Sequence, residues 1–379
     1  MAEGIRFQEV NIALGDKMSE YFTRACELTY ANLPDGVLDM SGVAFGSPPQ
    51  IDGDYFRGVT YGLQLDGIGT KPEISERLNE HSGSAIDLAA MVVDDAAASG
   101  GEVLAMGNLL DVRELNEESD IIIDGMHQLM SGLVVAAQTG HFAVIGGETA
   151  ELGKRIGGYG DFNYNWGGVA FVATRKDRKL TGKEIRAGQQ LIGLVEPGFR
   201  SNGISDVRNA MEQHYGTRWH EQTEPTLGNE LLGKIMQRPS AIYAGLTRVL
   251  NGGVLQEEPA AEITGVAHIT GGGQPSKLGR MLLRTNNLGI TIDNPIVPPV
   301  AMLHVQRLRG FDDKKAYSKW HMGPGMVIVT TEVDKVLAEA DAQGIAAQRV
   351  GEITDEPGIR IKNMGANQDE EWLNFKQNI

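Results

Sequence analysis

Apolar and polar positions change rhythm several times along the chain, and each rhythm predicts an element. Val59, Tyr61, Leu63 and Leu65 alternate with Thr60, Gly62 and Gln64, a period of two that suits a strand with one buried face. Ile121–Gln138 places Ile122, Met126, Leu129, Met130, Leu133, Val134 and Ala137 at steps of three and four, which predicts an amphipathic helix. Ser84–Ala98 reads as another helix, small and apolar except for Asp87, Asp94 and Asp95. Val103–Leu110, Phe142–Ile145 and Gly168–Thr174 read as short strands and Asp16–Tyr30 as a helix. Leu33–Asp54, rich in Gly, Pro, Asp and Ser, reads as loop.

The charged stretch Arg175–Gly188 breaks this pattern and sets an expected domain boundary, 1–178 against 179–379. Beyond it the alternation restarts. Strands are expected at Gln190–Val195, Ile263–Ile269, Gly325–Thr331 and Gln348–Ile353. Helices are expected at Ser205–His214, Pro239–Leu250 and Val333–Gln343, with a polar, peripheral tail after Gly365. No repeat of 20–50 residues is visible, which argues against a solenoid or propeller. Strands and helices mixed in two similar halves indicate α/β and α+β domains.

Composition changes the picture in a few places. A chain of 379 residues can bury two cores. Its 49 glycines imply many tight turns and backbone-lined loops, where anions are commonly held. A net charge of −16 argues against nucleic acid and anionic membrane as partners. A nucleotide can still bind if metal ions and a few placed cations meet its phosphates. Cys26 is the only cysteine, so no intrachain disulfide can form, and in the helical run Ser19–Leu28 it reads as a small buried residue. Met1–Asp16 lacks a basic region followed by an apolar one, and no stretch approaches 18 apolar residues. The expectation is a cytoplasmic protein without a membrane span.

The chemistry concentrates where predicted strands run into glycines. Asp66-Gly67-Ile68-Gly69-Thr70-Lys71 follows a strand directly. A carboxylate there can hold Mg²⁺, glycines let backbone N–H groups approach an anion, and Lys71 offers a charge for phosphate. The same residues also fit a β-turn with a solvated Asp and Lys, and spacing alone does not choose. Asp94 and Asp95 are adjacent acids in an apolar run, costly unless a cation neutralises them or a helix end exposes them. Gly146-Gly147-Glu148-Thr149 repeats the order of strand, glycines, acid and hydroxyl. Gly198-Phe199-Arg200-Ser201-Asn202-Gly203 opens a helix and fits a phosphate cradle or a plain N-cap. His268-Ile269-Thr270-Gly271-Gly272-Gly273 ends a strand in a glycine-rich turn, with His268 readable as catalytic or as a satisfied core histidine.

Taken in order, these segments resemble the aminoimidazole ribonucleotide synthetase family, the phosphoribosylformylglycinamidine cyclo-ligases. Asp66–Lys71 resembles the family's D-G-V/I-G-T-K, and Ile86–Asp95 its I-D-L-V-A-M-x-V-N-D, with Asp94 in place of Asn. Gly146–Glu151 is identical to G-G-E-T-A-E, Gly198–Ser205 resembles G-x-H-S-N-G-Y/F/L-S, and Ala267–Gly273 is close to A-H-I/L-T-G-G-G. Met322–Met326 resembles G-V-G-M. Arg200 replaces the family histidine, and Ser276-Lys277-Leu278-Gly279-Arg280 keeps only an aliphatic residue and the final Arg of E-N-I/L-P-R. Tyr164-Asn165-Trp166-Gly167-Gly168 departs from Y-D-x-A-G.

The resemblance implies a two-domain fold whose N-terminal α/β domain pairs strands across a homodimer and whose C-terminal α+β domain completes a cleft for ATP and Mg²⁺. It implies ATP-dependent closure of a ribonucleotide substrate to an aminoimidazole. Asp66, Asp95 and Glu148 would hold Mg²⁺, and Gly67, Gly69, Thr70, Asp94, Gly146, Gly147 and Thr149 the nucleotide. Lys71, Asp95, Arg200 and His268 would be catalytic, and Ser201, Asn202, Gly203, Thr270, Gly271 and Gly272 would meet substrate. Two other readings stay open: a related ATP-dependent enzyme acting on another amide or small acid, and a nucleotide-binding partner protein without turnover.

Overall fold

The computed structural model describes residues 12–41, 43, 48–116, 119–255, 258–285 and 287–376. The first half begins with α1 (Ile12–Tyr30), the short strands β1 (Leu38–Asp39) and β2 (Gln50–Ile51), then β3 (Val59–Gly67). Next come α2 (Pro72–Leu78), α3 (Ser82–Ala97), β4 (Glu102–Val112), α4 (Asp120–Gly140), β5 (Ala143–Glu151) and β6 (Tyr164–Arg175). Four strands form a sheet in the order β3-β6-β4-β5, antiparallel except for the β4–β5 pair.

Ser119 caps α4 by accepting the Ile122 N–H, and His141 ends it in a left-handed turn. The stripe predicted for this helix is the one it buries: Met126, Leu129 and Leu133 pack with Leu88, Ala89 and Val92 of α3. By length and composition α4 could cross a membrane, which the apolar count along the sequence did not anticipate; half of its most apolar window is buried inside this core. The opposite face of the sheet is covered only in part, where Leu33, Val37 and Phe56 pack on Leu104, Ala143 and Ala173. Leu63 and Leu65 are each 65% exposed there, beside Tyr61 and Leu109.

The second half begins with β7 (Gln190–Val195), α5 (Ile204–Tyr215), α6 (Leu232–Gln237), α7 (Ala244–Asn251) and β8 (Ile263–His268). It continues with α8 (Gly273–Met281), β9 (Gly289–Ile292), α9 (Val300–Arg309), α10 (Asp313–Lys319) and β10 (Pro324–Thr330). It ends with α11 (Val333–Ala342), β11 (Ala347–Thr354), β12 (Gly358–Lys362) and β13 (Trp372–Phe375). Its seven strands run β13-β12-β9-β11-β7-β10-β8. Leu191, Val327 and Val329 face one core, and Ile192, Leu194, Met326 and Ile328 face another. Both faces of this sheet are therefore covered, which is why β10 is buried at every position.

Several expectations need correction. Gly146–Glu151 continues β5 rather than turning out of it. The helix expected from Pro239 begins only at Ala244. The tail expected to be peripheral supplies the edge strand of the large sheet, Trp372–Phe375 pairing with β12. Cys26 is buried, as expected, and burial pushes its thiol up to about 11.

Candidate active site

Three segments converge where the halves meet: the end of β3, the last turns of α3 and the end of β8. Asp66, half-buried, accepts the Gly67 N–H at 2.7 Å. Burial raises its carboxyl above the ordinary range; the Gly67 contact opposes this and nearby Asp95 adds to it. Asp95 accepts a bond from His268 Nδ1 at 2.6 Å and one from Gln64 Nε2 at 3.4 Å. Burial works against its charge, but the bond and proximity of His268, with Lys277 and Arg200, hold its carboxyl below the usual range. Two neighbouring acids are thus tuned in opposite directions, with Asp95 the fixed anion.

Behind Asp95 runs a buried polar chain. Arg200 Nη2 lies 2.7 Å from His268 Nε2. A guanidinium can only donate, so His268 accepts at Nε2 and donates Nδ1–H to Asp95. Arg200 also donates to Glu196 Oε2 at 2.5 Å, Asp94 Oδ2 at 2.9 Å and the Ala241 carbonyl at 3.0 Å. Asp94 accepts the Tyr243 and Ala244 N–H groups at 2.8 and 2.9 Å, holding the start of α7. Burial pushes the Asp94 carboxyl up, and Arg200, His268 and the Tyr243 N–H oppose this.

This chain of bonds corrects three expectations. Arg200 is fully buried with both terminal nitrogens engaged, so it does not cradle a substrate phosphate. His268 has both ring nitrogens bonded and is not free for proton transfer. Asp94 serves the contact between the halves and does not face a nucleotide. Lys71 is a fourth correction. Its buried ammonium lies 2.7 Å from Asp87 Oδ2 and donates to the Arg238 carbonyl at 2.8 Å. Asp87 also accepts the N–H and hydroxyl of Ser240, so Lys71 pins the halves together and offers phosphate no free charge.

The residues between these anchors line the junction. Gly69 is left-handed (φ 69°), and a Cβ there would sit 3.6 Å from the Ser201 carbonyl. Thr70 Oγ1 lies 3.3 Å from Ser205 Oγ. The Asn202 amide touches Met91 Sδ at 3.6 Å, and its Oδ1 lies 3.5 Å from where a Gly271 Cβ would be. Ser201 Oγ is buried with no partner among the described residues. Gly203, left-handed, opens α5. Thr270 is buried, and its carbonyl accepts the Gly273 N–H; Gly271 and Gly272 are exposed. Gly69, Thr70, Ser201, Asn202 and Gly271 therefore come together as expected.

Gly146, Gly147, Glu148 and Thr149 do not join them. Asp66 pairs with Gly168, Gly168 with Asn108 and Asn108 with Gly147, so β5 and β3 are opposite edges of the sheet. Three strand spacings, roughly 14 Å, separate them within one chain. Among the described residues no three His, Cys, Asp or Glu side chains are grouped to hold a metal.

A pocket of about 380 Å³ opens beside Asp95, lined also by Gln64, Ser99, His268, Lys277 and Arg280. A second, of about 220 Å³, adjoins Gly69 and Thr70 and is lined by Glu76, Arg155, Tyr164, Asn165 and Arg208. Burial pushes the Glu76 carboxyl up to about 7, although it accepts the N–H groups of Tyr159 and Tyr164. The sequence reading missed Glu196, Asp87, Lys277 and Arg280. Only Asp87 carried a signal, as an acid inside an apolar helix.

Residues 57–171 match the N-terminal domain of AIR synthase related proteins, and residues 186–362 match the C-terminal domain. A phosphoribosylformylglycinamidine cyclo-ligase of Crocosphaera subtropica is 31% identical over 349 residues, 91% of this chain and 96% of that protein. One from Shouchella clausii is 31% identical over 335 residues, 87% and 88% of the two chains. The hydrogenase maturation protein HypE of E. coli shares the fold at a TM-score of 0.61 and 16% identity, covering 96% and 98% of the two chains. With both domains in order and relatives matched over nearly their full length, this chain belongs to the AIR synthase family, that of the phosphoribosylformylglycinamidine cyclo-ligases.

Proposed function

We propose that this chain uses ATP to close formylglycinamidine ribonucleotide to aminoimidazole ribonucleotide, releasing ADP and phosphate. The observation that carries the reading is the Asp66–Asp95 pair at the junction of the two AIR synthase domains, beside a pocket lined by cations. An amide oxygen is a poor leaving group. Transfer of a phosphoryl group to it makes the amide carbon reactive; the neighbouring nitrogen attacks, the ring closes and phosphate departs.

Mg²⁺ commonly takes one or two carboxylates, with phosphate oxygens and water completing its shell. Asp66 and Asp95 fit that demand, two acids close enough that Asp95 raises the cost of charging Asp66. When bound there, the ion would neutralise charge on the triphosphate and the transferring group. Asp95 holds its orientation through His268, so His268 and Arg200 act as positioning residues. Gly67, Gly69 and Thr70 offer backbone and hydroxyl groups to the nucleotide. Ser201, Asn202, Gly203, Thr270, Gly271 and Gly272 face substrate across the junction, with the unpartnered Ser201 hydroxyl available to a phosphate or amide oxygen.

Arg200 in place of the family histidine does not weaken this reading, because the residue lies beneath the site and not on its wall. A related enzyme phosphorylating another amide remains the second reading, favoured only by the altered segment Ser276–Arg280.

The division at residue 178, in the stretch between β6 and β7, belongs to the same proposal, as does a cytoplasmic location. So does a homodimer. The exposed part of the sheet face bearing Tyr61, Leu63, Leu65 and Leu109 would meet its counterpart, and Glu148 could reach a metal on Asp66 and Asp95 only across such an interface.

Asp66→Asn tests the site. ADP release is expected to fall at least 100-fold, the scale of losing a main electrostatic contact, with thermal unfolding unchanged. Retained turnover would remove Asp66 from the site.

A further inference from the structure

The pocket beside Asp95 carries two cations that the chain itself leaves uncompensated. Lys277 and Arg280 stand one turn apart on α8, and both line the pocket. Lys277 is half-buried and Arg280 exposed, and among the described residues neither side chain makes a hydrogen bond or ion pair. The buried cations nearby are different: Lys71 and Arg200 are each bonded to carboxylates.

Like charges three residues apart on one helix repel, and an ammonium half out of water without a bonded counter-ion is costly. Asp95 does not close on Lys277, because its oxygens are engaged by His268 and Gln64. Burial first, then Arg280, hold the Lys277 ammonium below the usual lysine range, against the pull of Asp95 and Asp66. An anion with several oxygens entering the pocket relieves both cations at once, the lysine as a point charge and the arginine as a donor fork. The family pattern has asparagine at the position of Lys277, so this chain adds a positive charge facing the two acids.

We propose that Lys277 and Arg280 form a phosphate-binding pair on the pocket wall opposite Asp95. Its ligand is a phosphate group, either the terminal phosphoryl of the nucleotide or the orthophosphate released. The choice between these sources rests on the ATP-dependent reading above; the pair itself can be tested without turnover.

The probe is inorganic phosphate, titrated calorimetrically into the full chain and into Lys277→Gln and Arg280→Gln. Each substitution is expected to weaken phosphate about tenfold or more, the scale of one charge-assisted hydrogen bond. Lys277→Arg, which keeps the charge, is expected to stay within about twofold of the parent. If ATP weakens alongside phosphate while ADP does not, the pair holds the terminal phosphoryl group; if phosphate alone weakens, it holds the departing ion. Unchanged phosphate affinity in both glutamine variants overturns the proposal, as does equal loss in Lys277→Arg. A parent that binds phosphate through this pair but forms no aminoimidazole would fail the cyclo-ligase reading and leave the anion site standing.

Discussion

Adjacent acids on a helix point about 100° apart, and that angle gives Asp94 and Asp95 separate tasks. Asp94 turns into the junction and pairs with Arg200, while Asp95 turns to the pocket. Arg200 is the hinge of the arrangement: a left-handed backbone (φ 55°) and a buried guanidinium shared between Asp94, Glu196 and His268. Arg200→Met keeps the bulk and deletes the charge, leaving two buried carboxylates unpaired. A loss of about 3–5 kcal/mol is expected, measured by urea unfolding with the slope unchanged. A variant as stable as the parent would contradict the ion-pair account. Asp66 and Asp95 were legible in the sequence because acids beside strand ends or in apolar helices need a reason. Lys71 and Arg200 were misread because a cation in a glycine-rich segment looks the same whether its partner is a ligand or a buried acid. That partner, Asp87 or Glu196, is fixed only by tertiary packing.

At the scale of elements, periodicity served best in two runs, though only α4 buries its apolar stripe within the chain and β3 leaves Leu63 and Leu65 exposed. The alternation in β3 and the three-four spacing in α4 both predicted what formed. It failed where the element is short. Helices α8, α9 and α10, of 9, 10 and 7 residues, went unnoticed, because short helices carry little pattern and Gly, Pro or Lys interrupt it in α8 and α10. Gly146–Thr149 read as a turn because two glycines usually mark one; here they continue an edge strand, with Asn108 donating to the Gly146 carbonyl. That difference matters for function, since a turn could have folded Glu148 toward Asp66 and an edge strand cannot.

At the scale of the molecule, the small sheet covers one face with α3 and α4 and the other only in part, leaving Tyr61, Leu63, Leu65 and Leu109 exposed. A patch with two leucines each 65% exposed marks an interaction surface on an otherwise strongly charged chain. If the partner is a second copy, the Leu63→Glu, Leu65→Glu double variant is expected to sediment as a monomer at micromolar concentrations where the parent is a dimer. A monomeric parent would contradict the dimer and would strand Glu148 outside the site. The two halves are joined by links from α3 and Lys71: Lys71 with the Arg238 carbonyl, Asp87 with Ser240, Asp94 with Arg200, and Asp95 with His268. They fix the junction at which the acids, the glycine turns and the cationic pocket meet. The central claim is that this junction closes a ring at the expense of ATP. The most direct test supplies purified protein with Mg²⁺, ATP and formylglycinamidine ribonucleotide and follows ADP and aminoimidazole ribonucleotide together. Equal amounts of both are predicted; ADP without aminoimidazole, or neither, would contradict the account.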